Sequence, residues 1–537
     1  GGKVRVSAEM IDPHTQTTIY AESREGVGAD STLASIDTVT SILRERLGER
    51  LASIKDDSAP LPTVTTGNLD ALRAFALGQR SLSRGDYVEA QQFYARATTL
   101  DPKFALAWLG QVRVTFGRED LNKAMVPLRK AQQLRDHLAP RERMYVDAWS
   151  ARFDAPAQGA AKWIELAKVY PDYHPAQGNA AIWLYEDNRY NEAIPYATAA
   201  TAEQYEYTGS NLDILGRLQL ATGNYESAAM SFKRAVSMGR QGSLRRIAAL
   251  EATQRRYASA EKALQRVSLQ DLHGYIEKVS VAVDRGDWAR AQKASRTALK
   301  MADEAGGFDA RAFRITAATT SWLAGDEGGA LRLARAAADQ AAAALDAKEN
   351  PYAEDDAALS IGAALIALRV GDESVAAKVE KTLQAHPQLM IAPSLRELAD
   401  VLRAERLRAL GRPQEALALL RPYLSGAERY QTRVALMQAA SDAGELAEAV
   451  EHARWLQQRR GAAFMELKCG QCLQALNVAD SNIAALLEAQ VLKKMGKEKE
   501  AAAKLKSFDA WWATEALPDY LRTQRESAVT TSKLGTV

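Results

Sequence analysis

Apolar residues recur along most of this chain at the 3.6-residue spacing of amphipathic helices, and the helical stretches come in pairs. Between the members of a pair stands a glycine, followed five residues later by an alanine. Gly85/Ala90, Gly223/Ala228, Gly286/Ala291, Gly325/Ala330, Gly371/Ala376, Gly411/Ala416, Gly444/Ala449 and Gly496/Ala501 all keep this beat. The glycine supplies a left-handed turn at a helix end, and the alanine lets the returning helix approach closely. Two turns depart from it. Asn188 precedes Tyr190 and Ala193, and Arg255 precedes Tyr257 and Ala260. Asparagine tolerates the left-handed region better than most residues; arginine is the weaker substitute. A beat with a period of roughly thirty to forty residues predicts a helical-hairpin solenoid, which grows by stacking.

Residues 71–102 spell out one unit in full. Leu77 and Gly78 fall within its first helix, Gly85 and Tyr87 at the turn, Ala90, Tyr94 and Ala97 on the second helix, and Pro102 at its end. The same places are held by Leu215, Gly216, Gly223, Tyr225, Ala228, Phe232 and Ala235. That is the tetratricopeptide pattern, so the expected fold is mainly α, a right-handed superhelical solenoid of about twelve hairpins over residues 69–510. Residues 58–68, rich in proline and small polar side chains, predict a linker, and 511–537 a capping helix with a flexible tail. In residues 1–57, Val4, Val6, Ala8 and Met10 alternate with polar residues, Asp12-Pro13-His14-Thr15 supplies a turn, and a helix follows. One hairpin and one helix make only part of an α/β domain. The reading expects strands only before Gly26, and a hairpin either poorly packed or paired with another chain.

Composition adds little to this picture. The 69 basic and 67 acidic residues nearly cancel, which gives no global field toward nucleic acid. No apolar run approaches the ~18 residues of a membrane span, so no direct insertion by this chain is expected.

The stretch VRVSAEMIDPHTQTTIYAESREG, its following helix and NLDALRAFALGQRSL together resemble a bacterial arrangement. It is similar to the sensor half of membrane-anchored class III nucleotide cyclases, CadC-like winged-helix regulators and some serine/threonine kinases. In these, a TolB-like α/β domain leads into tetratricopeptide repeats. Tyr20 stands where that family has tryptophan. The segment CGQCLQALNVAD resembles predicted cyclases of peptide-modification systems. The resemblance implies an upstream membrane helix and effector, and a periplasmic location; without that helix the location expected is cytoplasmic.

The motifs for catalysis are missing. No phosphate loop or dinucleotide fingerprint is present, and no two of the six histidines lie within a helical turn of one another. The run Glu354-Asp355-Asp356 reads as acidic residues favouring a helix start after Pro351. The expectation is a chain that is not an enzyme and takes no cofactor or metal. Cys469 and Cys472, the only cysteines, are spaced Cys-x-x-Cys with no second pair and no preceding strand. A small structural disulfide and a pair of reduced core thiols both remain open. The pair lies where Gly444 and Gly496 stand far apart, which marks an insertion between hairpins.

Counting from each turn, Phe75, Gln79, Arg113, Tyr185, Arg217 and Arg245 are candidates for the concave face. Arginines along a groove favour an acidic or carboxylate-bearing peptide. The reading is therefore a scaffold binding a protein or peptide, not nucleic acid, as the sensory or interaction half of a signalling protein. The alternative is a structural oligomerisation module, with a homodimer as partner, that controls an absent effector.

Overall fold

The structure, a computed structural model, describes residues 2–529 apart from 13, 29–30, 49–64, 85, 118–120, 204, 206 and 348–349. Pro13, Gly85, the linker residues 58–64 and the tail 530–537 thus lie outside the described residues. The chain is mainly helical, a solenoid of tetratricopeptide type with one small sheet near its start. It forms two compact units, residues 1–172 and 173–537, which divide inside the repeat array and not at the predicted linker.

The first unit opens with β1 (Lys3–Ile11) and β2 (Thr18–Val27), paired antiparallel with Val6 opposite Arg24. β2 runs past Gly26, the expected limit of strand structure. Helix α1 (Ser31–Arg46) packs across this hairpin with Leu33 and Val39 buried, and the stripe Val4, Val6, Ala8 and Met10 is half-buried. The hairpin therefore has a packing partner in α1, while Ile11, Ile19 and Val27 stay exposed. Three helical hairpins follow: α2 (Leu69–Ser83) with α3 (Tyr87–Leu100), α4 (Ala105–Gly117) with α5 (Leu121–Gln133), and α6 (Pro140–Asp154) with α7 (Gly159–Val169). Asn68 caps α2 by accepting from the backbone of Asp70 and Ala71, and Thr66 donates to Asp101 at 2.5 Å. The end of the predicted linker is thus tied to the first hairpin. Tyr94 is fully buried between Gly78 and Gly110, where an added Cβ would stand 2.8 and 2.5 Å from its ring. Only glycine at both places admits the aromatic knob.

The second unit stacks eight hairpins. These are α8 (His174–Glu186) and α9 (Tyr190–Ala199), α10 (Thr208–Ala221) and α11 (Tyr225–Ser237), α12 (Ser243–Thr253) and α13 (Tyr257–Leu264), and α14 (Gly274–Arg285) and α15 (Trp288–Ala305). Next come α16 (Gly307–Leu323) and α17 (Glu327–Leu345), α18 (Ala353–Arg369) and α19 (Ser374–Ala385), α20 (Pro393–Ala409) and α21 (Pro413–Leu420), and α22 (Tyr430–Ala443) and α23 (Leu446–Gln458). The turn glycines from Gly223 to Gly444 have φ near +80°, and Asn188 and Arg255 adopt +58° in the same place. The alanines five residues on are buried throughout.

The stack then turns in on itself. After α23 come the short α24 (Arg460–Met465), a tight turn at Lys468–Gln471, α25 (Gln474–Lys494), α26 (Glu498–Trp511) and α27 (Asp519–Val529). α25 and α26 form a further hairpin on α23, yet α25 also lies against α14, α16 and α22, and α24 against α10 and α12. Seventeen of the 21 residues of α25 are buried. A helix buried almost all round is a core element, and here the core it completes is the hollow that a curved solenoid would leave open. This is why residues 173–529 hold together as one unit.

Candidate functional site: the groove and its occupant

In the first unit the candidate positions are partly accessible. Phe75 is half-buried, its ring 5.7 Å from Tyr94 and 5.0 Å from Phe104, so it belongs to the packing between hairpins. Gln79 is exposed, and Arg113 on α4 is half-buried. The face of α2 also leaves Arg73, Leu77 and Arg80 open to solvent.

The second unit treats its inner face differently. Tyr185 is fully buried, and its hydroxyl donates to the Met465 carbonyl of α24; burial raises its pKa. Arg217 pairs with Asp213 at 2.5 Å. Burial opposes ionisation of Asp213, but the Arg217 and Arg246 guanidiniums outweigh it and hold the carboxyl well below its usual range. Arg245 donates to Glu277 at 3.0 Å and to the His273 carbonyl at 3.1 Å. Tyr185 is therefore internal, whereas Arg217 and Arg245 are half-buried and each is held by a carboxylate of the same unit, Asp213 and Glu277. For Tyr185 this corrects the expectation of an open recognition face, because α24 covers it through Met465.

The ring and its occupant meet through buried polar contacts. Arg460, at the start of α24, donates to the Thr253 and Ala252 carbonyls at 3.0 and 3.2 Å. It also reaches both oxygens of Asp284, at 3.0 and 2.8 Å. Gly461 beside it lies so close to α10 that a Cβ would stand 1.8 Å from the Leu220 carbonyl oxygen. Arg246 donates to Glu277 at 2.6 Å and to Gln471 at 2.9 Å. Burial, with Arg217 and Arg245 nearby, lowers its pKa to about 9. On α25, Asp480 accepts from Arg369 at 2.6 and 2.8 Å and from Gln431 at 2.8 Å. A buried charge left without such partners would be costly, so these pairs fix where the segment sits.

Both irregular turns take part. Asn188 Nδ2 donates to Glu466 at 2.8 Å, and Asn188 Oδ1 accepts from Arg429 at 3.1 Å and from Tyr190 at 2.8 Å. Arg429 also donates to the Glu186 carbonyl at 2.6 Å, which closes the eighth hairpin of the unit onto the first. Arg255 donates to Asn482 at 2.8 Å, and its guanidinium lies 3.6 Å from the centre of the Trp511 ring. A glycine at either turn would satisfy the backbone and lose these contacts.

The structure joins Cys469 and Cys472 by a disulfide, and both are buried. Cys469, Gly470 and Gln471 all have positive φ, from +49° to +66°. This turn rests on α18, where Lys468 pairs with Glu354 at 3.0 Å and the Cys469 amide donates to Asp355 at 3.1 Å. Two members of the acidic run thus bind the turn, a use beyond favouring a helix start. Among the described residues, no three His, Cys, Asp or Glu side chains are grouped to hold a metal ion, and no helix is long and apolar enough to cross a membrane.

No family model matches this chain, and no curated protein matches it. Solved structures are similar to it in fold. One of Pseudomonas aeruginosa pilF is 17% identical over 46% of this chain and 97% of its own, with a TM-score of 0.25. The TPR domain of P58(IPK) is 14% identical over 86% and 97%, at 0.22. Yeast Tom70 is 13% identical over 86% and 95%, at 0.31. At TM-scores of this size the superpositions say nothing of what this chain binds.

Arg246, Arg369, Arg429, Arg460 and Asp480 were not among the sequence candidates. Arg246 stands next to Arg245 and was missed by one helical position. Signals for the others did exist: the long gap between Gly444 and Gly496, and the polar residues on every side of α25.

Proposed function

We propose that the chain is a non-catalytic interaction scaffold, the sensory or interaction half of a signalling protein. In it the second unit is a self-filled platform, and the first presents an open array to a protein or peptide partner. One contrast carries this reading. In the second unit the inner helices α14 and α18 are buried nearly all round, whereas α2 in the first keeps Arg73, Leu77, Gln79 and Arg80 exposed. A surface that the chain covers itself offers nothing to a partner, and an amphipathic helix with an open face does. The disulfide supports an oxidising compartment, which for a bacterial protein is the periplasm.

Site-specific photo-crosslinking in the source cells tests this, with the probe at Gln79 or at Arg245. The scaffold reading expects a discrete protein adduct from position 79 that is lost when Arg80 and Arg73 are changed to glutamate, and none from 245. Adducts from 245 alone, or from neither, contradict it.

A further inference from the structure

The outer face of the second unit carries a feature that the groove does not explain. Arginines around its outside are mostly paired: Arg189 with Glu192, Arg406 with Glu373, Arg421 with Glu448. On three successive outer helices the pattern thins: Arg290 and Arg335 keep Glu261 and Asp372 as partners, but several other cations have none among the described residues. Lys262 and Arg266 at α13, Lys293, Arg296 and Lys300 on α15, and Arg332 on α17 are all exposed, and among the described residues no carboxylate lies within ion-pair distance of any of them. The spacing on α15 puts its three on one side of the helix, in line with Arg290, which Glu261 of α13 neutralises. From Arg290 to Lys300 the row is about 15 Å long. Glu304, one turn further on, pairs with none of them. The whole chain has a formal net charge of only +2, so this excess is local.

We propose that this face docks on the surface of an anionic phospholipid bilayer. The inference is independent of the groove and goes beyond the scaffold reading. Outer helices of a curved array present a convex ridge, which touches a plane along a line and forms no cleft for a peptide. The ridge also lacks a platform for stacking nucleobases. Its aromatic residues are turned to other work, Tyr257 hydrogen-bonding Asp284 at 3.1 Å and Trp288 donating to the Ala516 carbonyl at 2.7 Å. Lysine and arginine on long flexible stems suit a fluid layer of phosphate headgroups, each basic residue adding roughly five-fold to affinity near an anionic surface. Three residues beyond Arg266, Leu269 is 70% exposed and offers an apolar side chain to the same layer.

The test is flotation of the full chain with vesicles of phosphatidylcholine alone, and of phosphatidylcholine mixed with phosphatidylglycerol. Binding is expected to the mixed vesicles only and to weaken with salt. The variant Lys293→Glu/Arg296→Glu/Lys300→Glu should bind them at least ~100-fold more weakly, from roughly five-fold for each cation removed. Leu269→Ser should cost several-fold more. All four side chains are exposed, so circular dichroism and melting should match the wild type, which separates lost binding from lost fold. Equal binding to both vesicle types, or full binding by the triple variant, overturns the proposal. So does tighter binding to duplex DNA than to the mixed vesicles.

Discussion

Arg460→Met asks most of the packing described here. Methionine keeps much of the side-chain length and removes the guanidinium, which makes six hydrogen bonds to Thr253, Ala252, Asp284, Ser481 and Asn482. Two backbone carbonyls at the end of α12 lose this donor, and the fully buried carboxylate of Asp284 loses its closest cation. Removing one partner of a buried ion pair costs about 3–5 kcal/mol. The lower end applies, because Asp284 keeps Tyr257 at 3.1 Å, Asn482 at 3.2 Å and Arg255 at 3.6 Å. We therefore expect a loss of about 3 kcal/mol, read from the midpoint and slope of urea unfolding. Amide exchange should also quicken across residues 460–482 before it does in α16–α19. Asp284→Asn in the same chain should recover part of the loss, since it removes the stranded charge. A loss under ~1 kcal/mol with exchange unchanged would refute the reasoning.

Replacing Cys469 and Cys472 by serine should free the turn that holds three successive residues at positive φ. Faster exchange in residues 466–474, with protection kept in α10 and α12, is the expected pattern, and no change would show that the turn does not depend on its disulfide. Ala228→Leu overpacks a fully buried contact and should cost about 1–3 kcal/mol in a denaturant titration, with no loss counting against the hairpin register. Glu397, which accepts from the Arg429 amide at 2.7 Å and the Thr432 hydroxyl at 2.6 Å, has its pKa raised by burial to about 7, with Glu466 adding to the rise. Its folded pKa lies above the unfolded value, so its contribution is complete below about pH 4.5 and is lost as pH rises through 7. Glu397→Gln should flatten that part of the stability profile and favour the fold by roughly 2–3 kcal/mol above pH 7, and an unaltered profile would count against the burial argument.

The hairpins were legible because each is specified locally. Gly78 and Tyr94, or Gly216 and Phe232, sit at fixed offsets within one unit, and the contact between them needs no distant residue. The closing of the second unit could not be read in this way. Arg460 meets Asp284 across 176 residues and Arg369 meets Asp480 across 111, and no periodic rule links them. Counting from the turn singled out Tyr185, Arg217 and Arg245 as positions on a concave face. It could not show that α24 covers Tyr185. Asn188 and Arg255 carried the missing signal in plain view. Each is a costlier left-handed residue than glycine, and each holds a side chain the closed form uses.

A double-mutant cycle across Arg369 and Asp480 tests most directly whether residues 459–494 fill the second unit. The two side chains make a bidentate pair at 2.6 and 2.8 Å, with Asp480 1% exposed, and they touch only if α25 lies inside the stack. Unfolding free energies of Arg369→Met, Asp480→Asn and the double variant should show a coupling of about 2–3 kcal/mol, as expected of buried partners. Losses that add to within ~0.5 kcal/mol would mean the two never meet, and the groove would be open after all.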